Sequence, residues 1–226
     1  AWPDLQPLLN NIREQTAESV EVITAYGIAP SGRARNRGAE SASGKYLVFI
    51  DDDVKLGGKE VLQVLVETLQ SDDTIGLAGT AVKIPLDATP FQRRGGREVP
   101  RMICSVPDKI IDSDMATTQC WAQRRENFLQ VGEFTEAIER GVDPEYRHRV
   151  RMKGYRVVLA PGVWHYHPPP RNLKSFYRMY FRNGRSSARA QKFHPELVVP
   201  LSEQGDCAET DTQPFRKRVG RGIVRL

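Results

Sequence analysis

Gly44-Lys45-Tyr46-Leu47-Val48-Phe49-Ile50-Asp51-Asp52-Asp53-Val54 is the stretch on which the fold turns. Five strand-type side chains, Tyr46 to Ile50, run straight into three aspartates. A short apolar run between a glycine and a charge cluster reads as a buried strand, of the kind found inside a parallel sheet. Three carboxylates at its carboxyl end then stand at the rim, where open α/β sheets bind their ligands. Adjacent negative charges repel and need compensation. Hard divalent cations, magnesium or manganese, accept oxygen ligands and often take one or two carboxylates plus substrate phosphates. A solvated acidic turn is the plainer alternative.

Working outward, the segments on both sides alternate between helix and strand. Upstream, Leu5, Leu8, Leu9 and Ile12 recur at helical spacing, and Val20 to Tyr26 alternates and is β-branched, as a strand does. Ser31 is placed to cap a helix carrying Arg33, Arg35 and Arg37, a basic helix start that attracts an anion such as a diphosphate. Downstream, Val61, Leu62, Leu65 and Leu69 line one side of a helix, and Ile75 to Ile84 reads as another strand. The alternation predicts an α/β fold with a mostly parallel sheet flanked by helices. Pro85 to Asp114, rich in Pro, Gly and Arg, reads as a long surface loop that shapes a pocket.

Composition bounds the function. The 226 residues can bury a proper core, and the three cysteines, Cys104, Cys120 and Cys207, lack the spacing of a zinc site or a disulfide framework. Reduced thiols and a cytoplasmic setting are expected. No apolar stretch is long enough to span a membrane, and no leader is evident, so the chain reads as soluble. Residues 171–226 hold 12 Lys/Arg against 5 Asp/Glu, while residues 1–170 hold 21 against 23. A localised anionic partner is therefore expected for the C-terminal part.

Several segments together resemble family 2 inverting glycosyltransferases of GT-A fold. They are Ala34-Arg35-Asn36-Arg37-Gly38, Asp51-Asp52-Asp53, Val131-Gly132-Glu133-Phe134, Gly141-Val142-Asp143-Pro144-Glu145 with Arg149, and Gly154-Tyr155-Arg156 through Pro161 with a histidine beyond. Their order and spacing over residues 31 to 167 carry the resemblance. It implies transfer of a sugar from a nucleotide-diphosphate donor (UDP-, GDP- or dTDP-sugar) to a hydroxyl of a glycan or lipid-linked acceptor, as in cell-envelope polysaccharide assembly. By the same resemblance Asp51, Asp53 and His167 would hold manganese or magnesium. Arg35, Asn36, Asp51 and Asp52 would meet the donor. Asp143 would be the catalytic base, with Glu145 its competitor or an acceptor ligand. Trp121, Arg124, Arg125 and His165 are secondary candidates for the acceptor side, the tryptophan being equally readable as core. Asp143 precedes a proline and would also cap the helix that Pro144 opens.

A further feature needs no resemblance. Arg171, Lys174, Arg178, Arg182, Arg185 and Arg189 are spaced three or four apart, on one helical stripe, with Leu173, Phe176, Tyr177 and Tyr180 away from it. Such a helix either lies on an anionic membrane or packs on the domain with a solvated cationic face. Residues 215–226 are again basic and would add to a membrane contact at the inner face of the plasma membrane.

The expected organisation is a GT-A domain over 1–165, the basic helix over 166–192, and a polar then basic tail over 193–226. Two departures from the family pattern stand out: its first strand and its nucleoside-holding loop are missing, and Ala25-Tyr26-Gly27 stands where an acidic segment is usual. A non-catalytic nucleotide- or glycan-binding relative is therefore the first rival. A nucleic-acid-binding module lacks a recognition motif beside its basic stripe, so no nucleic acid is expected as a partner. A nucleotidyltransferase would leave Asp143 and the Gly-Tyr-Arg strand unexplained.

Overall fold

The computed structural model describes residues 4–99 and 101–200. They form seven α-helices and six strands: α1 (Gln6–Arg13), α2 (Ser31–Ser41), β1 (Tyr46–Ile50), β2 (Lys55–Leu56), α3 (Val61–Ser71), β3 (Ile75–Lys83), α4 (Pro90–Glu98), β4 (Ile111–Asp112), β5 (Cys120–Arg124), α5 (Arg125–Val131), α6 (Val142–Met152), β6 (Arg156–Tyr166) and α7 (Leu173–Phe193). A 3-10 turn, Pro195–Leu197, follows.

The stretch that opened the reading is a strand, as expected. Leu47 and Phe49 of β1 point into one core layer with Leu77, Trp121, Phe134 and Tyr146. Tyr46, Val48 and Ile50 pack toward the other, which α3 covers with Leu62, Leu65 and Leu69. Burying each of these leucines contributes roughly 1.5–3 kcal/mol. A strand covered on both faces must read as a continuous apolar run, which is why β1 shows no alternation.

The α/β architecture holds, but the sheet is not mostly parallel. Its order is β1-β5-β3-β6-β2, with β4 also on β6. Among the described strands only β3 and β6 pair in parallel. β5 runs antiparallel between β1 and β3, and β2 and β4 run antiparallel to β6. β1, β3 and β6 thus share one direction, as helix–strand alternation demands. The return strand β5 comes from a distant stretch of sequence and inserts between two of them, which periodicity does not report.

Three local expectations are corrected. Val20 to Tyr26 joins no strand ladder, and Val20, Val22, Ile23 and Tyr26 are exposed. Its alternation therefore has no covered face to serve. The expected loop of residues 85–114 contains α4, begun by a Thr89/Gln92 capping box with Pro90 in the first turn. Helix α2 is capped at Pro30, so Ser31 is its first residue rather than its cap.

Gly79 of β3 has a specific job. A Cβ there would lie 2.6 Å from the Ala116 Cβ and 2.7 Å from its Cα. Only a glycine lets the chain around Ala116 cross the sheet so closely, and that chain carries Thr118 to the site. Cys104 and Cys120 are buried thiols outside any disulfide, and burial pushes the Cys120 thiol up to about 12.

Candidate active site

The site forms where β1 and β6 end beside the first turn of α6. Asp51 leaves β1 with its N–H on the Gln119 carbonyl (3.1 Å), and its own carbonyl accepts from Val54, closing the turn that carries Asp52 and Asp53. Arg35, on the second turn of α2, donates to Asp51 Oδ1 at 2.7 Å and also lies over the Phe134 ring. Burial pushes Asp51 above the usual carboxylate range; Arg35 opposes this, while Asp143 and Asp53 add to it. The Asp51 carboxyl therefore feels two further negative charges across the site.

Asp53 is half exposed, with its Oδ2 3.4 Å from His167 Nε2. Burial pushes Asp53 up, but the hydrogen bond and charge of His167 outweigh it and hold the carboxyl below its ordinary value. The backbone N–H of His167 donates to the Lys83 carbonyl at 3.1 Å, so its main chain continues from the end of the β3–β6 pair.

Asp143 lies in the first turn of α6, whose cap is Gly141 in the left-handed region (φ 87°), not Asp143 itself. The helix starts two residues earlier than Pro144 implies, and Asp143 is left to face the site. Thr118 holds it from both ends: the hydroxyl donates to Oδ1 at 2.8 Å and the backbone N–H to Oδ2 at 3.3 Å.

Other sequence-predicted residues lie elsewhere or are already committed. Asn36 is buried and clamps the backbone of Phe134, donating to its carbonyl and accepting from its N–H, each at 2.9 Å. It shapes the pocket wall rather than reaching a donor. Glu145 is buried and grips Arg149 with both oxygens (2.5 and 3.0 Å), which takes it out of competition for the base. Trp121 is wholly buried between Phe134 and Tyr146, so the core reading of it is the right one. Arg124 is buried and donates to the carbonyls of Ile75 and Leu69 and to Asp73, tying α3 to the sheet. Arg125, partly buried, opens α5 with its N–H on Lys45. His165 is fully buried between Thr80 (2.6 Å) and Gln119 (3.1 Å); burial drives its pKa down to about 3, so it is neutral and structural. Asp52 is exposed at the tip of the turn.

Three participants carry no signal in the sequence reading. Thr118 is needed to orient Asp143. Asp114, almost fully buried, gathers Arg101, Arg147 and Arg151 and so anchors α6 under the site. Arg140 feels the charges of Asp51 and Asp143 as well as that of Arg182 on α7. Each acts through at least one partner more than 20 residues away, beyond the reach of local pattern. A separate cleft of about 260 Å³ lies beside the start of α2, lined by Gly27, Ile28, Ala29, Arg33 and Arg37.

Among the described residues, no three Asp, Glu, His or Cys side chains converge into a ready-made metal cage. Asp53 and His167 nevertheless fit a cation that takes two protein ligands and fills its remaining positions from phosphate and water. Asp51 is engaged by Arg35 and fits the ligand role less well.

Residues 31–132 match the family model for Glycosyl transferase family 2. No curated protein matches the chain. Three solved structures are similar to it. Mannosyltransferase PcManGT from Pyrobaculum calidifontis, in complex with GDP-Man and Mn2+, is 19% identical over 74% of this chain and 47% of that one, with a TM-score of 0.47. GalNAc-T7 with UDP, GalNAc and Mn2+ is 16% identical over 86% of this chain and 44% of that one, with a TM-score of 0.48. S. aureus TarS is 14% identical over 76% of this chain and 34% of that one, with a TM-score of 0.43. The chain thus spans less than half the length of each of these proteins.

Proposed function

We propose, on the premise that residues 31–132 are a glycosyl transferase family 2 segment, that the chain transfers a sugar with inversion from a nucleotide-diphosphate donor to an acceptor hydroxyl. The observation that carries this reading is Asp143, held from both oxygens by Thr118 and facing the Asp51–Asp53 turn. In the reaction the acceptor oxygen attacks the anomeric carbon and the bond to the diphosphate breaks, its electron pair leaving with the diphosphate. Asp143 takes the proton from the attacking hydroxyl. Thr118 keeps that carboxylate aimed. Arg35 brings a permanently charged, planar donor set to the diphosphate side, with Asp51 fixing its direction. A divalent cation, manganese or magnesium, bound at Asp53 and His167 would neutralise charge developing on the leaving group. A glycan or lipid-linked hydroxyl is the acceptor class proposed.

Calorimetric titration with UDP and GDP, each with and without manganese, tests the donor side. Manganese-dependent binding of one nucleotide, lost in Asp53→Ala, is expected and would name the donor class. Binding without turnover of any matching sugar donor would favour a non-catalytic relative. No binding of either nucleotide would remove the support for a donor site in this chain.

A further inference from the structure

Helix α7 touches the body of the protein along one narrow face. Only Ser186 and Ala190 are buried on it, while Ser175, Phe176, Met179 and Asn183 are partly covered. Ser186 donates to Glu139, and Phe176 meets Phe91 of α4 edge-on. The helix therefore turns only some of its apolar residues inward. Two adjacent rows face solvent instead. One is apolar: Leu173, Tyr177 and Phe181, 72%, 66% and 61% exposed, with the two rings stacked 6.1 Å apart. The other is cationic: Lys174, Arg178, Arg182, Arg185 and Arg189, all exposed. Arg171 precedes the Asn172 cap and is not part of the helical row.

A 21-residue helix with one row of bare aromatic and aliphatic groups and one row of five cations calls for a partner that satisfies both. A second copy packed by this face through a two-fold axis would set cations against cations. A nucleic acid would neutralise the guanidinium row and leave Leu173, Tyr177 and Phe181 in water. An anionic bilayer meets both needs at once, phosphates taking the cations and the acyl boundary taking the apolar row. No helix among the described residues is long and apolar enough to cross a membrane, so α7 fits the plane of the interface.

We propose that α7 lies in the interface of an anionic phospholipid bilayer, with Leu173, Tyr177 and Phe181 inserted and the cationic row on the headgroups. The orientation is transmitted to the site. Three prolines, Pro168 to Pro170, join His167 to the helix cap, and Gln92 fixes the Pro169 carbonyl at 2.7 Å. Membrane docking in this pose is independent of sugar transfer, and it can be tested without it.

The experiment is flotation of the full chain with vesicles of phosphatidylcholine alone or with about one third phosphatidylglycerol, whose charge makes each nearby cation worth about fivefold in partitioning. Binding to the anionic vesicles, weakened by salt, is expected. Arg178→Glu with Arg185→Glu should lower it at least about 25-fold. Leu173→Ser with Phe181→Ser should lower it as well, and should abolish the part that survives high salt. All four positions are exposed, and circular dichroism checks that the variants fold. Failure of the wild type to float with anionic vesicles overturns the proposal. So does equal flotation of the charge variant, or binding that the apolar variant leaves untouched, since a bare polyanion would then suffice.

Discussion

Thr118 and Asp143 define the site at the level of single residues. Asp143→Asn preserves a hydrogen-bond acceptor for the threonine and removes the base. Turnover should fall by about 10²–10⁴ with donor affinity unchanged. If steady-state and binding measurements show turnover retained, Asp143 is not the base. Thr118→Val removes a hydrogen bond to a charged group, worth about 1.5–3 kcal/mol, so kcat should fall roughly tenfold or more with nucleotide affinity intact; a change confined to nucleotide affinity would contradict the positioning role. His165 gives a pH prediction. Its pKa drops from an ordinary 6.5 to about 3 on folding because burial disfavours the charged ring. Between those values the unfolded chain binds a proton that the folded chain refuses. Stability therefore falls as pH falls, by up to ~1.4 kcal/mol per pH unit. Urea midpoints at neutral and mildly acid pH should draw apart more for the wild type than for His165→Gln, and equal separations would contradict the assignment.

The elements place these residues by close approach more than by propensity. Gly79→Ala should cost about 1–3 kcal/mol through overpacking against Ala116, measured as a lower denaturation midpoint, and should loosen Thr118 at the same time. A variant of wild-type stability would show that the crossing has slack. The elements also explain which features are legible in the sequence. β1 and α3 are legible because an apolar run and a 3.6-residue period each record a local covered face. α4 is legible in retrospect from its Thr-Pro-x-Gln start, where the density of Pro, Gly and Arg suggests loop. The segment of residues 20–26 has the strand pattern without a neighbour to pair with in the described structure. Pattern records what a segment could cover, and pairing depends on what lies beside it.

The assembled molecule draws its site from α2, the ends of β1 and β6, and the start of α6, so ligand binding should stabilise all of them together. At a hundredfold excess over Kd, nucleotide with manganese should raise apparent stability by about 2.7 kcal/mol. Thermal unfolding checks this, and Asp53→Ala should abolish the metal-dependent part of the shift. By itself the sequence determined the α/β class, the acidic turn at the end of a buried strand, the carboxylate ahead of Pro144, and the cationic row of α7. Each is a matter of neighbours within a few residues, where period and charge spacing speak directly. The tertiary structure alone decided that β5 enters between β1 and β3, that Asn36, Glu145, Arg124 and Trp121 are spent on the framework, and that Thr118 holds Asp143. It also decided that the apolar row of α7 faces outward. The physical reason is common to all of these: a polar or aromatic side chain takes its role from the partner that satisfies it. Apart from Arg149, one helical turn from Glu145, those partners stand more than ten residues away, where no local period can register them.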